Sequence, residues 1–459
     1  MSETKLIVMV PTPAMGHLPS SVEFAKLLVQ RDQRISILLV ILHSPIFNTS
    51  KAIDAYVESQ SLETDPNRIT FLTFPPVAVP NNDPLSSNFF STVIELQKQL
   101  VKKAVEDQGM KPTAFVIDMI VFLHAQSLYD DEGVDIIFTG FVDSNAEIDV
   151  PEFKNRVPVK ALPWFGSVDK DSESHKLVID MPRMFRQSKG ILINTFMELE
   201  SYVIRVLIDQ SKSKSKVPSI YPVGPILSLD GRSQHEVQDQ DLIMEWLDEQ
   251  PLSSVVFLCF GSMGGFDVDQ VTEIANGLDR SGFRFLWSLP QSAPKVNLGS
   301  SMENYNLFEA LPEGFVDRMA HRGKIIKWAP QVQILAHRAI GGFVTHCGWN
   351  SILESLWFGV PMATWPMCAD QQLNAFELVK ELGLGVEFSI NYRLNFMIGK
   401  GNYLVTAEEV ENGVKRLMNM DEEIRDKLRE ISDLSRKALK DGGSSNYELI
   451  RFIEDFLHN

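Results

Sequence analysis

Around residue 346 the chain reads Thr345-His346-Cys347-Gly348-Trp349-Asn350-Ser351. This stretch sits between the apolar run Gly342-Phe343-Val344 and the helical pattern Ile352-Leu353-Glu354-Ser355-Leu356-Trp357. A strand, then a turn carrying His, Gly, Asn and Ser, then a helix can hold an anion. Gly348 lets the backbone approach a ligand closely. Asn350 and Ser351 suit an N-cap and carry side-chain donors. The helix start offers unpaired N–H groups and the positive end of a dipole to a diphosphate. The same Asn-Ser pair also fits an ordinary capped helix. A second strand-to-helix turn, Phe260-Gly261-Ser262-Met263-Gly264-Gly265, is glycine-rich and makes Ser262 another candidate phosphate contact. His17, in Pro11-Thr12-Pro13-Ala14-Met15-Gly16-His17, stands where the first strand turns into the first helix, and Asp118 ends Phe115-Val116-Ile117-Asp118. In a parallel sheet, His17 would lie at the carboxyl end of the strands, where ligands bind. Each also has a plain reading, a histidine packing at a helix start and a strand-end carboxylate satisfied by loop N–H groups.

The elements that must position these residues alternate. In the N-terminal half, apolar runs at Leu6–Val10, Ile35–Leu42, Ile69–Phe74, Ala114–Ile117 and Asp135–Thr139 read as strands. Helical patterns fall at about Pro19–Gln30, Ser50–Ser59, Thr92–Glu106 and Leu123–Tyr129, and a later strand at Gly190–Asn194 precedes a helix at Met197–Ile208. Strands joined by helical crossovers predict a parallel sheet covered on both faces. Tyr221-Pro222-Val223-Gly224-Pro225 breaks the rhythm, and the polar, acidic stretch from Ser228 to Gln240 reads as a linker. Alternation resumes with strands at Ser254–Phe260, Arg284–Leu289, Lys324–Ile326, Ile340–Val344 and Pro361–Trp365. Helices follow at Val268–Arg280, after Trp349 and after Asp370. Helical patterns at Ala407–Met418, Glu422–Leu439 and Tyr447–Leu457 end the chain.

At 459 residues the chain has room for two or three domains with cores of their own. A net charge of −17 argues against nucleic acid or an anionic membrane as partner, and leaves an anionic ligand to be held by local dipoles and donors. Three cysteines, Cys259, Cys347 and Cys368, have no paired spacing and predict neither a disulfide framework nor a zinc site, as expected of a reduced, cytoplasmic protein. The apolar run Leu6–Val10 is too short for a signal-peptide core, and no run is long enough to insert in a membrane. The Asp-x-Asp stretches at Asp239–Asp241 and Asp267–Asp269 lack a further ligand at metal spacing; the second opens a helix, where acids suit the dipole. No metal is expected. A nicotinamide-binding Rossmann enzyme would need G-x-G-x-x-G after the first strand, where the chain has Pro13-Ala14-Met15-Gly16-His17.

From Trp328 to Gln371 the chain resembles the signature box of the plant secondary-product UDP-glycosyltransferases at full length. The matching residues are Trp328, Gln331, His346, Gly348, Trp349, Asn350, Ser351, Glu354, Asp370 and Gln371. The resemblance extends from Pro13-Ala14-Met15-Gly16-His17 to Asp441-Gly442-Gly443-Ser444-Ser445. It implies an α/β GT-B architecture, two Rossmann-like parallel-sheet domains facing a cleft. The N-terminal, acceptor-binding domain would span 1–227, the linker 228–250 and the nucleotide-sugar domain 251–440, with a last helix at 441–459 packing back on the first domain. It further implies inverting transfer from UDP-glucose to a small phenolic or terpenoid hydroxyl, with UDP-glucose as co-substrate and no cofactor. His17 would be the general base and Asp118 the carboxylate that orients it. Trp328 would stack on uracil, Glu354 would reach the ribose, Asp370 and Gln371 would hold the sugar hydroxyls, and Thr139 would lie near the sugar. Glutamine at position 371 goes with a glucose donor in that family.

One stretch departs from the family. After Thr139 the chain passes through Gly140-Phe141-Val142-Asp143-Ser144-Asn145-Ala146-Glu147 straight to Val150-Pro151-Glu152-Phe153, where the family has a much longer, largely helical segment walling the acceptor site. The alternative expectation is therefore a catalytically impaired UDP-sugar binder. Polar stretches at Asn81–Phe90 and Asn297–Asn306 are expected to be loops near the cleft. Neither acceptor identity nor oligomeric state is legible.

Overall fold

The computed structural model describes residues 4–44, 49–79, 89–107, 109, 111–118, 146–162, 186–212, 218–229, 237–261, 265–290, 306–395 and 400–457. The expected helix at Leu123–Tyr129, the strand at Asp135–Thr139, the shortened segment as far as Asn145, Thr139 and Ser262 lie outside these residues. So do most of the two polar stretches.

Leu6, Ile7, Val8 and Met9 are all buried, as an apolar run must be when helices cover both faces of a sheet. They form β1 (Lys5–Val10), which joins β2 (Ile35–Ile41), β3 (Ile69–Thr73) and β4 (Ala114–Ile117) in a parallel sheet of order β3-β2-β1-β4. The chain winds outward from β1 through β2 to β3 by way of α1 (Leu18–Arg31) and α2 (Ser50–Glu63). It then returns through α3 (Phe89–Asp107) to the other side of β1 for β4. Winding direction thus reverses between β1 and β4. In open parallel sheets ligands bind outside the carboxyl ends of the strands at such a reversal, and here those two ends lead to His17 and Asp118.

A short antiparallel pair, β5 (Glu147–Ile148) with β6 (Val157–Pro158), precedes a parallel pair, β7 (Gly190–Ile193) with β8 (Ser219–Pro222), bridged by α4 (Ser201–Lys212). Pro222 closes β8, so the break in regular structure begins at Val223, two residues later than the sequence suggested.

The stretch read as a linker contains α5 (Val237–Asp248), whose Ile243 and Leu247 are buried in the core of the C-terminal half. One turn of spacing puts those two side chains on one face of the helix. The helix therefore packs as part of the second half, and Asp239 and Asp241 are residues of a docked helix. That half is built on β9 (Val255–Cys259), β10 (Arg284–Ser288), β11 (Gly323–Ile326), β12 (Ile340–Thr345), β13 (Met362–Thr364) and β14 (Gly385–Glu387). All six are parallel, in the order β11-β10-β9-β12-β13-β14. Its winding reverses between β9 and β12, whose carboxyl ends lead to Gly261 and His346. The helices of this half are α6 (Val268–Ser281), α7 (Phe315–Met319), α8 (Gln331–Leu335), α9 (Trp349–Phe358), α10 (Gln371–Phe376), α11 (Ala407–Met418) and α12 (Glu422–Leu439). Asp267 caps α6 by accepting from the backbone N–H of Gln270.

The last helix, α13 (Ser444–Leu457), carries Leu449, Phe452 and Ile453 into the core that holds Ile7 and Val22 of the first half. Phe452 meets the Tyr221 ring edge-on at 5.5 Å, and the Tyr221 hydroxyl donates to Asp455 Oδ2 at 2.7 Å. A second bond between halves is apolar: Val150, Phe153, Val157 and Ala161 pack against Leu373 and Phe376 of α10. Among the described residues no helix is long and apolar enough to cross a membrane, and no group of three His, Cys, Asp or Glu could hold a metal ion.

Candidate active site

His17 occupies the N-cap position of α1 yet its side chain makes no capping bond, so the ring is available. Nδ1 lies 3.1 Å from Asp118 Oδ2 across the β1–β4 reversal. Asp118 is itself fixed: its Oδ2 accepts from the Thr12 backbone N–H at 3.2 Å, and the Thr12 hydroxyl donates to its carbonyl at 3.4 Å. A carboxylate facing Nδ1 selects the tautomer with the proton on that nitrogen and leaves the lone pair on Nε2. Burial alone would lower the His17 pKa. The hydrogen bond and charge of Asp118, with the charge of Asp370, outweigh it and hold the imidazole above its ordinary value. Burial would likewise raise the Asp118 carboxyl, but the bond and charge of His17, helped by Thr12, hold it below the usual range. This pair can accept a proton on Nε2 and stabilise the resulting imidazolium.

The facing turn is different. Helix α9 starts at Trp349, and its N-cap is Gly348 in an extended conformation, φ −60° and ψ 134°. Asn350 and Ser351 are therefore already inside the first turn, and neither caps it, contrary to the sequence expectation. A glycine can take the cap position at little cost, which frees both side chains. Asn350 Nδ2 donates to the Gly16 carbonyl at 2.5 Å, and Ser351 Oγ accepts from Gln331 Nε2 at 2.9 Å. The Gly16 bond joins α9 directly to the residue before His17.

His346 is wedged between two glycines. A Cβ on Gly261 would stand 2.7 Å from its Nε2, and one on Gly348 would stand 2.6 Å away. Only glycine permits that approach of backbone from both strand ends. The His346 Nδ1 is buried without a hydrogen-bond partner, and loss of water pushes the imidazole down to about 4. The ring is thus neutral at physiological pH. Asn374 Nδ2 donates to the Cys347 carbonyl at 3.0 Å and to Asp370 Oδ2 at 2.9 Å, tying α10 to this turn.

Further along α9, Glu354 accepts from Gln331 Nε2 at 2.7 Å. Burial pushes its carboxyl up to about 7, against the lowering effect of that bond. Asp370 is also raised by burial, opposed by Asn374 and by the charge of His17. Gln371 Oε1 accepts from the backbone N–H of Met367 and Cys368 at 2.8 and 2.9 Å, so its amide nitrogen is left to donate. Trp328, just past β11, exposes 41% of its surface, which is unusual for a tryptophan and leaves a ring face free to stack. Trp349 turns its indole N–H to the Asn194 carbonyl at 2.8 Å.

The structure thus brings His17 together with Asp118, groups Gln331, Ser351 and Glu354, and packs His346 on Gly348. Asp370 lies close enough to His17 for their charges to interact. Sequence reasoning missed Asn374 and Asn194, because an asparagine outside a motif carries no signal of its own.

The family model described as UDP-glucoronosyl and UDP-glucosyl transferase matches residues 229–435. Over 494 aligned residues the chain is 42% identical to a putative UDP-glucose flavonoid 3-O-glucosyltransferase 3 of Fragaria ananassa, covering 99% of this chain and all of that one. UDP-glycosyltransferase 71B2 of Arabidopsis thaliana is 41% identical over 490 residues, again with 99% of each chain covered. That first alignment is 35 positions longer than the chain, so the relative carries residues without a counterpart here. Among solved structures, that of Medicago truncatula UGT71G1 complexed with UDP-glucose superposes with a TM-score of 0.84 at 37% identity, covering 99% of this chain and 98% of that one. A Siraitia grosvenorii transferase in complex with UDP gives 0.82 at 40%, covering 99% and 100%.

Proposed function

The chain belongs to the UDP-glucoronosyl and UDP-glucosyl transferase family, among its plant secondary-product members, and we propose that it transfers glucose from UDP-glucose to a hydroxyl of a small phenolic or terpenoid metabolite with His17 as general base. A phenol, with pKa roughly 10, is a poor nucleophile while protonated. The Nε2 of His17 takes that proton as the oxygen attacks the anomeric carbon, and Asp118 stabilises the imidazolium that forms. UDP departs from the opposite face, so the α-linked donor becomes a β-O-glucoside. The proton then passes from His17 to solvent.

Negative charge that develops on the leaving diphosphate meets the first turn of α9, whose N–H groups have no partner within the helix. A neutral His346 adds a polar contact without a charge of its own. Trp328 stacks on the uracil, and Glu354 accepts from the ribose hydroxyls. Asp370 and Gln371 hold the sugar, Gln371 favouring glucose. Thr139 and Ser262 complete the donor site in this reading, which calls for no metal because the helix start supplies the positive field.

The observation that supports the reading most is the placement of a base with its carboxylate at one sheet reversal, bonded through Gly16 and Asn350 to the anion-binding helix at the other. The test is mass spectrometry of the purified protein incubated with UDP-glucose and a pool of plant phenolics. A hexose added to an acceptor is expected. Bound UDP with no product from any acceptor would mean a nucleotide-sugar binder instead.

A further inference from the structure

We propose that Asn194 is a positioning residue for this reaction, which sets the donor-binding helix at its working distance from the base through Asn350; the assignment rests on the function proposed above. Asn194 follows β7, and its carbonyl already holds the Trp349 indole. Its Oδ1 accepts from the Ile226 backbone N–H at 2.7 Å, and its Nδ2 donates to the Ile226 carbonyl at 3.2 Å. The same Nδ2 donates to Asn350 Oδ1 at 3.4 Å. Asn350 Nδ2 in turn donates to the carbonyl of Gly16. Trp349, the residue beside it, donates from its indole to the Asn194 carbonyl.

Every link in this chain has a fixed direction. The Ile226 N–H can only donate and the Gly16 carbonyl can only accept, so neither amide can turn over without losing a bond at its far end. The path runs from the loop after β8, through the end of β7, across the start of α9, to the residue before His17. Close packing holds it in place: a Cβ on Gly224 would stand 2.4 Å from Asn194 Oδ1. Two residues of the first helical turn, Trp349 and Asn350, are gripped by one asparagine from the opposite half. The helix start that faces the diphosphate and the turn that carries the base are therefore parts of one hydrogen-bonded unit. Loss of register between donor and base costs rate even when each site still binds, because attack requires near-contact geometry.

The test is a double-mutant cycle on glucose transfer with Asn194→Ala, Asn350→Ala and both together. Asn194→Ala is expected to lower kcat about ten-fold with the KM for UDP-glucose within about two-fold, and to cost less than about two-fold when Asn350 is already alanine. Asn194→Asp retains the acceptor for the Ile226 N–H and removes the donor shared by the Ile226 carbonyl and Asn350. It should show the same fall in kcat with the KM for UDP-glucose within about two-fold, a split that a loosened Ile226 loop alone would not give, which keeps the test decisive if the alanine variant is unstable. Equal losses in both backgrounds, or full kcat in Asn194→Asp, would confine Asn194 to holding the Ile226 loop and overturn the assignment. Wild-type transfer is scored first. Its absence overturns the proposed function and this assignment together, whereas active wild type with additive variants overturns this assignment alone.

Discussion

His17 and His346 each follow a strand that borders a winding reversal, and the two turns meet through the bond from Asn350 to Gly16, yet their surroundings are opposite. His17 is about one-third exposed, faces a carboxylate at 3.1 Å and is held above its ordinary pKa. His346 has an unpartnered, buried Nδ1, glycines against its ring, and a pKa pushed down to about 4. The carboxyls follow suit. Asp118, paired with its histidine, is lowered, whereas Glu354 and Asp370 on the donor side are raised by burial. Under the proposed function, the same fold position serves two tasks. A turn that must accept a proton needs a nearby anion and an open ring nitrogen. A turn that must receive a diphosphate needs close backbone and side chains that stay uncharged.

The largest effect is expected at the base. His17→Ala is expected to lower kcat by about 10²- to 10⁴-fold, the span of a lost general base, while calorimetry shows UDP affinity within about two-fold of wild type. A parallel collapse of UDP binding would mean that the two turns do not divide the work. Trp328→Ala should do the reverse. It should weaken UDP binding by about 1–3 kcal/mol, the value of stacking a base on an aromatic ring, and leave kcat at saturating donor nearly unchanged. A loss confined to kcat would move Trp328 out of the donor site.

Two smaller effects sharpen the donor side. Because burial pushes the Glu354 carboxyl up to about 7 and the ribose hydroxyls favour its ionised form, UDP-glucose binding at neutral pH should release about half a proton. Calorimetry in buffers of different ionisation enthalpy reads this directly, and Glu354→Gln should abolish it. Proton uptake in place of release would reverse the assignment. With His17 also replaced by alanine in that variant, UDP-glucose affinity should show no histidine step between about pH 5.5 and 8, since a neutral His346 has nothing to titrate there. A step near the ordinary histidine pKa would show that His346 is solvated and able to charge.

The fully buried strands were the most legible part of the molecule. Leu6–Val10 and Val255–Cys259 are unbroken apolar runs, and a strand covered on both faces can be little else. The two histidine turns were legible because glycine and histidine sit where strands turn into helices. Helix α5 was missed although Ile243 and Leu247 recur at helical spacing, because the polar Gln238-Asp239-Gln240-Asp241 extends the acidic stretch before it. The cap of α9 was misplaced by two residues. Asn and Ser are better caps than Gly by local preference, but Asn350 is drawn off to a carbonyl 334 positions away. That partner is set by how the halves dock, and no local pattern encodes it. Asn194 was invisible for the same reason.

Whether His17 is a base tuned by Asp118 is decided by the pH dependence of glucose transfer. In wild type, kcat/KM should fall on the acid side with a midpoint above the ordinary histidine value of 6.5, since protonation of a raised imidazole removes the acceptor for the hydroxyl proton. Asp118→Asn removes the charge that raises it, so the rate should drop and the acid midpoint should move to lower pH. A wild-type profile without an acid limb, or a limb that stays in place in Asp118→Asn, would contradict the assignment of the base.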